Sequence, residues 1–182
     1  MKTCYIIAPF SPEKITTRVV FSKEDLILCA DAGYLEALHQ KIVPHGIIGD
    51  FDSAPIPAES QSFFSNTFIQ SFPIEKNETD VHLCYLYGKE KGYEHFVLLG
   101  GLGGRMDHSY ANIQLLIGAV TRGDHFTIIG KNDEISAFLP GSWEIPSKKG
   151  WHFSLFSYST VSKKIELTGA KYPIRQGELT WG

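Results

Sequence analysis

The first two-thirds of the chain alternates short apolar runs with stretches of helical periodicity, and this alternation restricts the fold most. The apolar runs are nearly continuous, as expected for strands buried on both faces of a parallel sheet. They are Cys4–Ala8, Leu26–Ala30, Gly46–Gly49, Thr67–Phe72, His95–Leu99 and His125–Ile129. The pattern predicts an α/β domain with a Rossmann-like, mostly parallel sheet.

Three helices are predicted between these strands, over residues 32–40, 78–91 and 107–121. Their apolar residues recur at helical spacing, which gives each helix one face toward the sheet. The residues expected on that face are Val81, Cys84, Tyr85 and Gly88 in the second helix and Tyr110, Ile113, Ile117 and Val120 in the third.

After residue 130 the chain changes to short strand candidates separated by turn residues, without a helical period of useful length. The change of pattern at residue 130 predicts an α/β domain over residues 1–130 and an antiparallel β domain over residues 131–182. The strand candidates of the second domain are Glu134–Leu139, Ser142–Ile145, Trp151–Tyr158, Lys163–Leu167 and Glu178–Trp181.

Composition narrows the class of protein. Among 182 residues, 43% are hydrophobic and 20% are charged, which is typical of a globular chain. The net charge of −3 gives no general attraction to nucleic acid, and no apolar run is long enough for a membrane span. We expect no signal peptide, and we expect Cys4, Cys29 and Cys84 to be buried, unpaired residues in a reducing cytoplasm.

Acidic residues follow the second and third predicted strands. Asp31 lies in Ala30-Asp31-Ala32-Gly33, and Asp50 and Asp52 lie in Gly49-Asp50-Phe51-Asp52-Ser53. Ligands of open α/β sheets bind beyond the carboxyl ends of strands, and Mg²⁺ prefers carboxylate and phosphate oxygens. The alternative is that these aspartates only stabilise turns, and similar pairs also occur in phosphatases and glycosyltransferases.

A third acidic cluster precedes the second helix. Asp80 is a candidate metal or substrate contact, and Lys76 is a candidate point charge for phosphate. The alternative is an ordinary helix start, with Asn77 or Thr79 as N-cap and acids in the first turn.

A glycine-rich segment follows the fifth strand and has the sequence Gly-Gly-Leu-Gly-Gly-Arg-Met-Asp-His over residues 100–108. It matches neither the dinucleotide fingerprint nor a Walker loop. A bare backbone beside a helix start is suited to an anion, and Arg105 would bind phosphate oxygens there. Alternatively, the segment is a tight connection in which Arg105 pairs with Asp107. Asn132, after the sixth strand, is a candidate for an adenine edge or a turn.

The order of these motifs resembles the thiamin pyrophosphokinase family: Ala-Asp-x-Gly, Gly-Asp-x-Asp-Ser, Thr-Asp, then Gly-Gly-x-Gly-Gly-Arg-x-Asp-His and Tyr110-Ala111-Asn112. The resemblance covers about residues 30–112. It implies a β-sandwich-like second domain that binds thiamin and a homodimer with a composite active site. It also implies Mg²⁺-dependent transfer of the pyrophosphoryl group of ATP to the thiamin hydroxyl, with AMP as the second product.

The resemblance also implies roles for individual residues. The catalytic and metal-binding acids would be Asp50, Asp52 and Asp80. The ATP contacts would be Asp31, Ser53, Lys76, Gly103, Gly104, Arg105, Asp107 and His108.

The chain departs from the family pattern in three places. Asn77 stands where many members carry an aspartate, and Ala32 replaces a glycine found in some. Family members usually continue past Gly182 through a Ser-Asn-Glu segment, so we expect the second domain to be incomplete and assign no thiamin contacts. Other readings are another Mg²⁺-dependent phosphotransferase or nucleotide hydrolase, an inactive thiamin- or nucleotide-binding regulator, and a structural α/β domain.

Overall fold

The computed structural model describes residues 1–51, 55–73 and 75–181, and the chain divides into two compact units, Met1–Gly141 and Ser142–Gly182. The α/β prediction is confirmed. The strands are β1 (Cys4–Ile7), β2 (Leu26–Ala30), β3 (Gly46–Gly49), β4 (Phe68–Ser71), β5 (His95–Leu99), β6 (His125–Ile129), β7 (Glu134–Ser136), β8 (Val161–Leu167) and β9 (Ile174–Thr180). The α-helices are α1 (Gly33–His39), α2 (Asp80–Glu90) and α3 (Met106–Thr121).

The first unit contains one seven-stranded sheet in the order β4-β3-β2-β1-β5-β6-β7. The strands from β1 to β6 are parallel, and β7 is antiparallel to β6. The chain starts in the middle, adds strands outward to β4, and then crosses to β5 on the other side of β1. The carboxyl ends of β1 and β5 therefore flank a switch point, where sheets of this kind bind ligands.

Helices cover both faces of this sheet. Successive strand residues point to opposite faces, so Ile6 of β1 packs with α2 and α3, and its neighbour Ile7 packs with α1. All three cysteines are unpaired and buried in these layers, as predicted. No helix within the described residues has the length and apolarity to cross a membrane.

The predicted buried face is confirmed for α2, and for α3 it is correct except for one residue. Val81, Cys84, Tyr85 and Gly88 of α2 are all buried. In α3, Val120 is buried and Ile113 and Ile117 are partly buried and pack against the core, as predicted, whereas Tyr110 is 55% exposed. The buried residues of α3 are Ser109, Asn112, Leu116, Ala119 and Val120. Apolar periodicity missed Ser109 and Asn112 on this face, because both are polar and bond to the loop before the helix.

The segment after residue 130 divides differently from the expected boundary. Glu134–Ser136 pairs with β6, so the first unit extends to Gly141 rather than ending at 130. In the second unit, β8 and β9 form an antiparallel two-stranded sheet. The candidates Ser142–Ile145 and Trp151–Tyr158 form no regular strand, since neither pairs with another strand in the described part of this unit.

Candidate active site

Three carboxylates converge at the carboxyl edge of the sheet. Asp31 follows β2, Asp50 follows the neighbouring strand β3, and Asp80 is the first residue of α2. One oxygen from each lies within 4.8 Å of the others, and all three residues are half-buried. We name Asp31, Asp50 and Asp80 the acid cluster. Its spacing suits one divalent cation, which carboxylate oxygens bind.

The backbone around Asp31 depends on close approaches that only glycine allows. A Cβ on Gly49 would lie 2.9 Å from the Asp31 Cα, and one on Gly33 would lie 2.1 Å from the Ile7 carbonyl oxygen. Asp31 has a φ of 44°, a left-handed conformation that aspartate tolerates better than most residues, and its N–H donates to the Ile48 carbonyl at 2.8 Å. A glycine at the end of β3 and another at the start of α1 thus allow the backbone to bring the Asp31 carboxylate to the cluster.

Lys76 lies within the acid cluster. Its Nζ is 2.7 Å from Asp80 Oδ1 and 3.4 Å from Asp50 Oδ2, and its side chain is 12% exposed. Burial alone would lower the pKa of Lys76, but the two carboxylates outweigh it and the pKa is raised. The helix start is also capped, because the Thr79 hydroxyl accepts the His82 N–H at 3.2 Å. The capping and the clustered charges therefore coexist.

Two residues singled out in the sequence, Asp52 and Ser53, lie outside the described residues. The sequence predicted Asp50, Asp52 and Asp80 as the catalytic and metal-binding acids and Asp31 as an ATP contact. In the structure Asp31 joins Asp50 and Asp80, because β2 and β3 are adjacent and parallel. Each aspartate follows a strand, but the sequence does not show which strands are neighbours.

The segment Gly100–Gly104, which we name the glycine loop, follows β5. Its four glycines have φ values of 96°, 72°, 110° and 63°, all unfavourable for residues with a side chain. A Cβ on Gly100 would lie 2.5 Å from the Ala8 carbonyl oxygen, and one on Gly104 would lie 2.6 Å from the Phe10 ring. The loop therefore packs its backbone against the segment that follows β1.

Arg105, Asp107 and His108 lie where the glycine loop meets α3, and all three are exposed. Arg105 Nε donates to Asp107 Oδ1 at 3.1 Å, and this hydrogen bond holds the pKa of the Asp107 carboxyl below its usual range. The pair is the alternative considered from the sequence. Because exposed ion pairs of this kind contribute little stability, Arg105 remains able to exchange partners.

A cleft of about 610 Å³ lies beyond the carboxyl ends of β1, β5 and β6. Ser11, at its wall, is only 6% exposed, and its Oγ has no hydrogen-bond partner among the described residues. Gly103 and Asn132 were predicted from the sequence, but the lining residues that follow β1 were not. Their position directly after the first strand would have indicated them, because ligands bind beyond the carboxyl ends of strands. The lining residues are Phe10, Ser11, Glu13, Glu36, His39, Leu102, Gly103, Lys131, Asn132 and Asp133.

Comparison with known families places most of the first unit in one of them. Residues 17–128 match the family described as "Thiamin pyrophosphokinase, catalytic domain". The chain is 29% identical over 184 residues to the thiamine pyrophosphokinase of Bacillus subtilis (strain 168), covering 100% of this chain and 86% of that protein. It is 28% identical over 161 residues to thiamine pyrophosphokinase 1 of Oryza sativa subsp. japonica, covering 81% of this chain and 59% of the rice protein.

Solved structures agree with this assignment. The crystal structure of thiamine pyrophosphokinase from Bacillus subtilis superposes with a TM-score of 0.84 at 26% identity, covering 100% of this chain and 86% of that one. The thiamin pyrophosphokinase of Geobacillus thermodenitrificans shares the fold, with a TM-score of 0.76 at 22% identity over 100% of this chain and 84% of that one.

Proposed function

Because the chain belongs to the thiamin pyrophosphokinase family, whose reaction is pyrophosphoryl transfer from ATP to thiamin, we propose that the acid cluster and the glycine loop carry out this reaction. The products are thiamin diphosphate and AMP. The observation that carries the proposal is the convergence of Asp31, Asp50 and Asp80, the last two of which pair with Lys76. Such a site neutralises and positions polyphosphate, and phosphoryl transfer needs little other chemistry from a protein.

The acid cluster fits a hard divalent cation such as Mg²⁺, because its three oxygens are near enough to share one ion. Asp31, Asp50 and Asp80 would hold it, with Asp52 as a further candidate from the sequence. When bound, Mg²⁺ supplies positive charge against the phosphate oxygens and the departing AMP.

Two side chains supply fixed positive charge in this proposal. Lys76 lies against Asp80 and Asp50 and is within reach of a phosphate held beside them. Arg105 leaves its exposed ion pair with Asp107 and donates two parallel hydrogen bonds to phosphate oxygens instead. Asp80 orients the thiamin hydroxyl, whose oxygen forms a bond to the β-phosphorus and releases its proton to solvent as the bond from that phosphorus to the AMP oxygen breaks.

The nucleoside half of ATP is proposed to occupy the cleft at the switch point. Three acids, Glu13, Glu36 and Asp133, outnumber the one lysine of the lining, so the cleft disfavours phosphate, and carboxylates are suited to ribose hydroxyls. Phe10 offers an aromatic ring and Asn132 offers an amide for a base. The phosphates would then extend along the glycine loop toward the acid cluster, with Gly103, Gly104 and the nearby His108 on the nucleotide side.

We also propose a cytoplasmic homodimer with a composite active site, in which the second unit contributes to thiamin binding. The support is that this unit exposes many large apolar side chains, a feature that marks interaction surfaces when the side chains form a patch. The largest exposed apolar side chains there are Trp143, Trp151, Phe153, Phe156, Tyr158, Tyr172 and Trp181.

The test is to incubate the purified protein with thiamin, ATP and Mg²⁺ and to identify both products by chromatography. Thiamin diphosphate with AMP supports the proposal. ADP with thiamin monophosphate would keep the ATP site and overturn attack at the β-phosphorus. Hydrolysis of ATP without a thiamin product would favour a nucleotide hydrolase, and ligand binding without turnover would favour a regulator.

A further inference from the structure

Two buried polar side chains of α3 hold the glycine loop. Asn112 is 5% exposed, and its Nδ2 donates to the carbonyl oxygen of Gly101 at 2.8 Å. Ser109 is 8% exposed, and its Oγ accepts the N–H of Gly103 at 3.0 Å. Residues three apart lie on the same face of a helix, so both side chains face the loop. They bind it at alternate residues, Gly101 and Gly103.

The glycine loop needs such support because its own sequence does not select one shape. Glycine loses more conformational freedom on folding than any other residue, and here four glycines adopt positive φ. Backbone bonds fix the beginning of the loop: Gly100 N–H donates to Ile129 at 2.9 Å, and Gly101 N–H donates to Pro9 at 2.8 Å. The rest of the loop is held by side chains of α3, since Asn112 binds the Gly101 carbonyl and Ser109 binds the Gly103 N–H.

The held segment leads directly to the proposed nucleotide contacts. Gly103 lines the cleft, and the residue directly after the loop is Arg105, the N-cap residue of α3. A change in the loop would therefore displace one wall of the cleft and the arginine proposed to bind phosphate. Displacements of about 1 Å at such sites reduce turnover by up to about a hundredfold.

We propose that Asn112, supported by Ser109, is a positioning residue for the nucleotide. It acts through the glycine loop, whose backbone it holds in the shape that accepts ATP, and not by contact with substrate. The inference rests on the proposed function, because it requires that ATP lie along this loop. It adds a role for two side chains that hydrophobic periodicity did not place on the buried face.

The test compares Asn112→Asp and Ser109→Ala with the wild-type protein. Asn112→Asp keeps the side-chain shape and turns an oxygen toward the Gly101 carbonyl, so the bond is replaced by repulsion. We expect the KM for ATP and the Kd for magnesium α,β-methylene-ATP to rise by about tenfold or more, as one lost buried hydrogen bond predicts. The KM for thiamin should change less than about twofold, and Ser109→Ala should give a smaller effect in the same direction.

Leu116→Val provides a matched control, because Leu116 is fully buried on the same helix and packs in the core. It should lower the melting temperature without changing the KM for ATP. The inference is overturned if Asn112→Asp raises the KM for ATP no more than Leu116→Val does, or if it raises the KM for thiamin equally. If Asn112→Asp does not fold, Ser109→Ala decides by the same criteria.

The outcomes separate this inference from the proposed function. Wild-type turnover with an unchanged ATP affinity in both variants overturns the inference alone. Tight analogue binding by the wild type, weakened in Asn112→Asp, supports the inference even if no thiamin diphosphate forms, and the proposed function then fails alone. A wild-type protein that binds no magnesium α,β-methylene-ATP overturns both.

Discussion

The acid cluster and the glycine loop lie at the same edge of one sheet but are built in opposite ways. The cluster consists of side-chain charges: Asp31, Asp50 and Asp80 come from three elements, and Lys76 lies between two of them. The glycine loop consists of backbone shape, with four positive φ values. A substitution in the cluster should therefore alter chemistry and leave the fold intact, whereas one in the loop should alter the fold locally and chemistry only in consequence.

Asp50→Asn tests the first half of this comparison and should have the largest effect. It removes one charge from the metal-binding set and keeps the shape, so turnover should fall by about a thousandfold, as for other losses of electrostatic stabilisation. The melting temperature should stay nearly constant, because the removal of one negative charge also relieves the repulsion among the carboxylates of the cluster. AMP release and thermal melting measure the two effects.

The control for that substitution is Glu90→Gln, an exposed acid at the end of α2. It should alter neither turnover nor melting by much. An Asp50→Asn protein that melts several degrees lower and retains activity would show that the cluster is structural.

Gly100→Ala tests the second half. The new Cβ would lie 2.5 Å from the Ala8 carbonyl oxygen, and the alanine would have to adopt a φ of 96°. We therefore expect a loss of about 3 kcal/mol or more in the free energy of unfolding. Gly123→Ala is a matched control, since its φ is 95° and nothing lies within 4 Å of the added Cβ. Backbone strain alone should cost it about 1 kcal/mol. Equal losses in urea unfolding would contradict the argument from close packing.

Lys76→Met tests whether the cluster requires a cation to be stable. Without the ammonium, the Asp50 and Asp80 carboxylates repel each other, so the melting temperature should fall in chelator and recover when Mg²⁺ is added. Lys89→Met removes a similar ion pair, to Asp124, away from the site. Its melting temperature should fall equally with and without Mg²⁺. A Lys76→Met protein that responds to Mg²⁺ no more than Lys89→Met does would show that the cluster holds no metal.

The smallest predicted effect concerns pH at the opposite end of the sheet. His95 stacks on His125 with ring centroids 4.4 Å apart, and burial and then the neighbouring imidazole lower the pKa of His95. The unfolded chain therefore binds this proton more readily than the folded one. The stability contribution is complete above about pH 6.5 and is lost as the pH falls through the lowered folded value.

Melting curves from neutral pH to about pH 5 measure this effect. His95→Gln should flatten the decline of the melting temperature with falling pH relative to the wild type. An unchanged slope would show that other groups cause the acid sensitivity. Because neither proposed site region contains His95, the nucleotide affinity of the variant at neutral pH should equal that of the wild type.

The elements that formed as predicted are those with one strong local signal. The runs that became β2, β3, β5 and β6 have the predicted bounds, because a doubly buried strand must be apolar throughout. Candidates with a weaker signal changed: Ser142–Ile145 and Trp151–Tyr158 form no strand, because a strand also requires a partner. On the buried face of α3, the sequence pattern missed Ser109 and Asn112, because these polar residues are buried for their hydrogen bonds.

Residue type and spacing along the chain were enough to predict the α/β class, the position of acids and glycines after the strands, and the family, because these properties are local. The folded chain was needed to show that Asp31 joins Asp50 and Asp80, that Lys76 pairs with two of them, and that Asn112 supports the glycine loop. Each of these contacts depends on which strands are neighbours and on how a helix is rotated, and both are set by the packing of the whole sheet.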